Sequence, residues 1–169
     1  MSLESHRRDA PNTIQFAVVT FSDTRDIESD SGGSYLVQSI EAAGHQVALR
    51  SINHDDPVEI EAAVREAASH PDVDLILTTG GTGIAPRDHT YSTLKSVLDS
   101  EIPGFGELFR WLSYEEIGSA TLMSRAIGGL LEGRVVLAMP GSPKALRLAM
   151  EKIVLPEAGH LVSQTRTKA

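Results

Sequence analysis

Three times in the first two-thirds of the chain, a short apolar run gives way to a polar or glycine-rich loop and then to a segment of helical period. Ile14 to Phe21 (IQFAVVTF) is apolar and β-branched throughout, the pattern of a strand buried on both faces of a parallel sheet. Gln46 to Ile52 and Val73 to Thr79 repeat the strand signal. Between them, Tyr35 to Ala43 places Leu36, Ile40 and Ala43 on one helical face ahead of Gly44. Val58 to Ser69 places Ile60, Val64, Ala67 and Ala68 on one face, with Pro57 at the start. A third helix follows the third strand through Leu94, Val97 and Leu98. Such alternation predicts an α/β fold, a parallel sheet with crossover helices.

The remainder is less regular. Ile102 to Gly118 carries Gly104 and Gly106 inside an aromatic and aliphatic stretch, readable as a helix or as a partner surface built on Phe105, Phe109, Trp111 and Leu112. Leu122 to Leu130 and Arg134 to Met139 flank Glu132-Gly133, so an antiparallel hairpin is expected at one edge of the sheet. A last helix should begin near Lys144, with Ala145, Leu148, Ala149 and Ile153 as its buried stripe. The reading is therefore a flexible lead over 1–13, one domain over 14–163 and a frayed tail over 164–169.

Composition excludes several functions. The 169 residues include 15 Lys plus Arg against 23 Asp plus Glu, a net charge of −8, which argues against a nucleic-acid footprint. Cysteine is absent, removing disulfides, thiolate metal sites and a thiol nucleophile. The six histidines show no HExxH helix, and no GxSxG elbow is present, so zinc and serine-hydrolase chemistry lack support. No apolar run approaches the roughly 18 residues of a membrane span, and the polar N-terminus has no apolar signal region; the expectation is a soluble cytoplasmic protein without a membrane partner.

Four loops, Ser22 to Gly33, Asn53 to Asp56, Gly80 to Thr90 and Pro140 to Lys144, follow predicted strands, and in an open α/β sheet they gather at the carboxyl edge, where ligands bind. TTGGTG (Thr78 to Gly83) is either a tight glycine turn or a cradle whose N–H groups approach an anion without Cβ obstruction. It is neither a Walker A nor a GxGxxG sequence. Asp88, in PRD, either caps the following helix or holds Mg²⁺ beside phosphates. Asp55 and Asp56 read first as helix caps. PGSPK offers Gly141 and Ser142 at a helix start with Lys144 adding charge, or plain turn chemistry with Ser142 as cap. Ser124-Arg125 either binds phosphate in bidentate fashion or forms a surface ion pair.

Together TFSDTRD, TTGGTG with PRD, PGFGE, LMSRAIGG and MPGSPKA resemble the molybdopterin-binding family of molybdenum cofactor biosynthesis, of the MogA/MoaB type and closer to the MoaB branch. The resemblance covers about Ile14 to Leu161. It implies a three-layer α/β/α sandwich with a mostly parallel sheet, a homotrimer or homohexamer, and Mg²⁺-dependent adenylylation of molybdopterin by ATP with release of pyrophosphate. It assigns Asp55 and Asp88 as catalytic, metal-organising acids. Gly80, Gly81, Thr82 and Gly83 match its nucleotide cradle, Pro140, Gly141, Ser142 and Pro143 its second loop, and Ser22, Asp23, Ser124 and Arg125 further cleft positions. PRDHTYS departs from the family's commoner RD followed by Val, Thr and Pro. The alternative it leaves is a non-catalytic molybdopterin carrier of the same pathway.

Overall fold

The computed structural model describes residues 11–166; of the expected lead over 1–13 and tail over 164–169, residues 1–10 and 167–169 lie outside the described residues. Six strands form one sheet: β1 (Gln15–Phe21), β2 (Gln46–Asn53), β3 (Leu75–Thr79), β4 (Ser100–Glu101), β5 (Ile127–Leu131) and β6 (Arg134–Met139), in the order β2-β1-β3-β6-β5-β4. β2, β1, β3 and β6 run parallel, while β5 pairs antiparallel with both β6 and β4. The three-layer α/β/α fold is as expected, but the edge is closed by a two-residue strand beyond the hairpin, and β6 lies inside the sheet.

The inner strands β1, β3 and β6 are buried on both faces because each face carries its own core. Phe16, Val18, Leu75, Leu77, Val135 and Leu137 meet α1 (Ser31–Ala42), α4 (Pro103–Ile117), α5 (Pro143–Ala149) and α6 (Leu155–Arg166). Ala17, Val19, Ile76, Val136 and Ala138 meet α2 (Pro57–Ser69) and α3 (Thr90–Val97). At roughly 1.5–3 kcal/mol for each large apolar side chain removed from water, these cores are the main stabilising contribution.

Several boundaries differ from expectation. α1 starts at Ser31 because the wholly buried Asp30 caps it, accepting from Gly33 N at 2.9 Å and from Thr20 Oγ1 at 2.8 Å. Ile102 to Gly118 is largely helix: Pro103 opens it, and Phe105 and Phe109 are buried core residues rather than a partner surface. The strand expected from Leu122 begins only at Ile127, after a 3₁₀ turn over Gly118–Met123. Glu132 and Gly133 both have positive φ, 51° and 78°, as the tight hairpin turn needs. After α5 one π-helical turn, Met150–Val154, leads into α6, which continues through Gln164 to Arg166, where fraying was expected; Arg166 pairs with Asp74 below β3.

Candidate functional site

Parallel pairing places the ends of β1, β2, β3 and β6 side by side, so their loops form one polar cleft. One lobe, about 370 Å³, is lined by Ser22, Asp23, Asp55, Gly81, Arg87 and Asp88. Its neighbour, about 360 Å³, runs over Thr79, Gly80 to Gly83 and Asp88 to Arg25, Pro140 and Gly141.

The two carboxylates of interest sit against the glycine loop. Gly81 has φ +63°, and a Cβ there would overlap Asp55 Oδ2 and Thr90 Oγ1. A Cβ at Gly83 would stand 2.7 Å from Asp88 Oδ2. The loop is therefore more than a turn, because its glycines make room for the acids. Gly80 has another use: its N–H donates to Met139 O at 3.2 Å, joining the loop to β6. The N–H groups of Gly81, Thr82 and Gly83 have no partner among the described residues, and the buried Thr79 hydroxyl has none either.

The structure separates Asp55 from Asp56. Asp56 caps α2, accepting from Val58 N at 2.9 Å, whereas Asp55 Oδ1 accepts from His89 N at 3.0 Å across the cleft. Asp55 N donates to Asp23 Oδ1 at 3.1 Å, which brings a third acid to the group. Burial pushes the Asp55 carboxyl above the ordinary carboxylate range and the charges of Asp88 and Asp23 add to the shift, while the His89 N–H opposes it. Asp88 does not cap α3: its Oδ2 turns back to accept from Ala85 N at 2.8 Å. Among the described residues no group of three or more acidic or histidine side chains is arranged to hold a metal ion alone.

Arg125 is spent on the loop rather than on an ion pair. Its Nε donates to Gly83 O at 2.7 Å and its Nη2 to Asp88 O at 2.8 Å, and the guanidinium lies 5.1 Å from the Tyr91 ring centre. It fixes both ends of the segment that carries Asp88. Ser142 caps α5 through Ala145 N at 3.3 Å, and Pro143 follows at the first helical position. Ser22 Oγ accepts from Thr24 N at 3.3 Å. A second cavity, about 220 Å³, shares Thr82, Gly83 and Pro140 with the cleft; Phe109, Met123 and Leu148 line it together with Ser124, Ser142 and Lys144. The sequence reading missed this cavity, Arg25 and Arg87, since single cations in irregular loops carry no periodic signal.

Fold and site define an open α/β protein with its ligand-facing loops at the carboxyl edge of a mostly parallel sheet. Residues 17–160 match the probable molybdopterin binding domain. A Halalkalibacterium halodurans protein named molybdenum cofactor biosynthesis protein B is 46% identical over 165 residues, covering 97% of each chain. A crystal structure of a molybdenum cofactor biosynthesis protein B superposes with TM-score 0.91 at 46% identity, covering 95% of this chain and 100% of that one. The tungsten cofactor synthesizing protein MoaB from Pyrococcus furiosus superposes with TM-score 0.83 at 35% identity, over 94% of this chain and 100% of its own. The chain belongs to the molybdopterin-binding family of molybdenum cofactor biosynthesis, of the MoaB/MogA type.

Proposed function

We propose that this protein acts in molybdenum cofactor biosynthesis as a nucleotidyltransferase, adenylylating the terminal phosphate of molybdopterin with ATP and releasing pyrophosphate. The observation that carries the reading is the shared wall. Thr82, Gly83 and Pro140 border both the polar, acid-bearing cleft and the more apolar cavity beside it. The cleft suits a triphosphate, with free N–H groups on Gly81, Thr82 and Gly83 and the Thr79 hydroxyl as donors. The cavity suits a flat heterocycle, with Phe109 and Leu148 against its faces and Ser113 and Ser142 for its polar edges. Substrates seated on either side would bring their phosphates together at the wall.

In the proposed reaction a molybdopterin phosphate oxygen attacks the α-phosphorus of ATP, a new P–O bond forms, and the bond between the α-phosphorus and its bridging oxygen breaks as pyrophosphate departs. No general base is needed, because the attacking oxygen is already anionic. The chain contributes positioning and charge complementarity. Asp55 and Asp88 fit Mg²⁺ in the way that ion is usually held, by one or two carboxylates together with substrate phosphates; their mutual repulsion is what a cation would relieve. Mg²⁺ would supply neutralisation of phosphate charge. Arg125 holds the loop that presents Gly83 and Asp88.

Pyrophosphate release from ATP, measured with and without molybdopterin and Mg²⁺, tests the proposal. Pterin-dependent release that falls by at least about a hundredfold in both Asp55→Asn and Asp88→Asn is expected, the size of effect associated with losing one preorganised electrostatic contact. Asn preserves each acceptor and the backbone contacts to His89 and Ala85 while removing the charge. Pterin binding without release in the unsubstituted chain would instead establish the carrier.

A further inference from the structure

Two sequence motifs, PGFGE and LMSRAIGG, contribute little to the carboxylate cleft beyond Arg125. They meet instead around a separate cavity of about 240 Å³ beside the first turns of α4 and the start of β5. Arg110 enters this cavity by lying over Gly106, where a Cβ would stand 2.9 Å from both terminal guanidinium nitrogens. Its Nη1 donates to Ala126 O at 3.1 Å, leaving Nε and Nη2 without a partner among the described residues. Arg125 lines the same cavity with Nη1 unspent, since its other donors are taken by Gly83 and Asp88. Gly128 on β5 lets α4 pack closely against the strand, as a Cβ there would stand 2.9 Å from both Phe105 and Leu137.

Among the described residues neither arginine forms an ion pair, although the whole chain carries eight more acids than bases. Glu101 also lines the cavity, exposed and bonded to neither guanidinium. Tyr91 lines it too, its hydroxyl accepting from Lys95 Nζ at 3.4 Å, and Ser124 has a buried Oγ with no hydrogen-bond partner. Two partly buried guanidinium groups facing one cavity repel each other, and an unpartnered buried hydroxyl is costly; one oxyanion offsets both. We infer that this cavity binds a small oxyanion of the phosphate class, held by Arg110, Arg125 and the Ser124 hydroxyl. It is distinct from the proposed nucleotide cleft, joined to it through Arg125, which grips the glycine loop from the cavity side, and it shares Ser124 with the more apolar cavity of about 220 Å³.

The test is a titration of the full chain with inorganic phosphate, without ATP or pterin, followed by amide and arginine Nε–H NMR signals. Saturable shifts of Gly106, Ala126, Gly128 and the two arginines are expected. Arg110→Gln, whose amide can still donate to Ala126 O, should weaken this binding about tenfold, and Arg110→Lys, which keeps the charge but loses the fork, by less. Shifts confined to Gly81–Gly83, or equal affinity in folded Arg110→Gln and Arg110→Lys, would overturn the inference. So would inert phosphate combined with altered sedimentation of Arg110→Gln, which would assign the cavity to a carboxylate of a second copy. None of these readouts involves adenylylation, so the inference can fail while the proposed function stands, and the reverse.

Discussion

Asp55 is placed where its ionised form is disfavoured. Burial raises its pKa above the ordinary 3.8, with Asp88 and Asp23 adding to the shift. Between 3.8 and the raised folded value the native state holds the extra proton more strongly than the unfolded chain does. Stability contributed by this group is therefore greatest at low pH and declines as pH rises through that window; at neutral pH the ionised carboxylate opposes folding. Asp55→Asn should melt at a higher temperature than the unsubstituted chain near neutral pH, with the gap narrowing towards pH 3.8, even as it loses the proposed adenylylation. Thermal melts across pH decide this, and a lower melting temperature for the variant at neutral pH would refute it. For the proposed reaction, kcat/KM of the unsubstituted chain, which reports the groups of the free protein, should fall on acidification with a midpoint above the usual carboxylate range, read from a pH–rate profile. At this scale the sequence was informative about residue type but silent about direction. Asp55 and Asp56 are adjacent carboxylates ahead of one helix that local spacing does not tell apart; the resemblance singles out Asp55, and the approach of His89 N from another loop gives the physical distinction. Arg125 was legible as a cleft cation, yet its donors close on carbonyls at Gly83 and Asp88, sequence separations that no local pattern encodes.

Elements with strong periodicity were legible, and those defined by long-range contacts were not. β6 matches its expected bounds residue for residue, and α2 differs only by including Pro57. α1 begins earlier because Asp30, Thr20, Arg50 and Gly33 come together from two strands and a loop, with Arg50 Nη2 at 3.4 Å from Asp30 Oδ2. This buried carboxylate ties α1 to the sheet directly behind the Ser22–Arg25 loop. Asp30→Ala removes the cap, leaves the Thr20 hydroxyl without its acceptor and takes the charged partner from Arg50, whose Nη2 keeps Ser34 Oγ at 3.0 Å; a loss of about 3 kcal/mol is expected from denaturant unfolding. A loss below about 1 kcal/mol, the value of an ordinary exposed cap, would show the network to be dispensable. Glycines misled in α4: Gly106 looked like a break, but it allows Arg110 and Ala126 O to approach the helix backbone. β4, two residues long, is too short for any alternation to register.

At the scale of the whole molecule the described chain closes two cores but leaves one apolar face open. Trp111 is 62% exposed, Leu122 74%, and Tyr114, Ile117 and Met123 are exposed with them on α4 and the 3₁₀ turn that follows. Contiguous exposure of this kind marks association surfaces, and the homotrimer or homohexamer implied by the family resemblance is proposed to use it. Trp111→Glu should lower the sedimentation coefficient towards that of a monomer; an unchanged oligomer would place the contact elsewhere. The wall made by Thr82, Gly83 and Pro140 has a kinetic consequence. In the proposed reaction each substrate is anchored on one side of it, whereas adenylylated molybdopterin is anchored on both and gains the advantage of linked binding. Pyrophosphate has no such second anchor. The adenylylated pterin should therefore be the last species to leave, and a rapid first turnover followed by a slower steady rate would mark a protein built to keep its product until a recipient takes it.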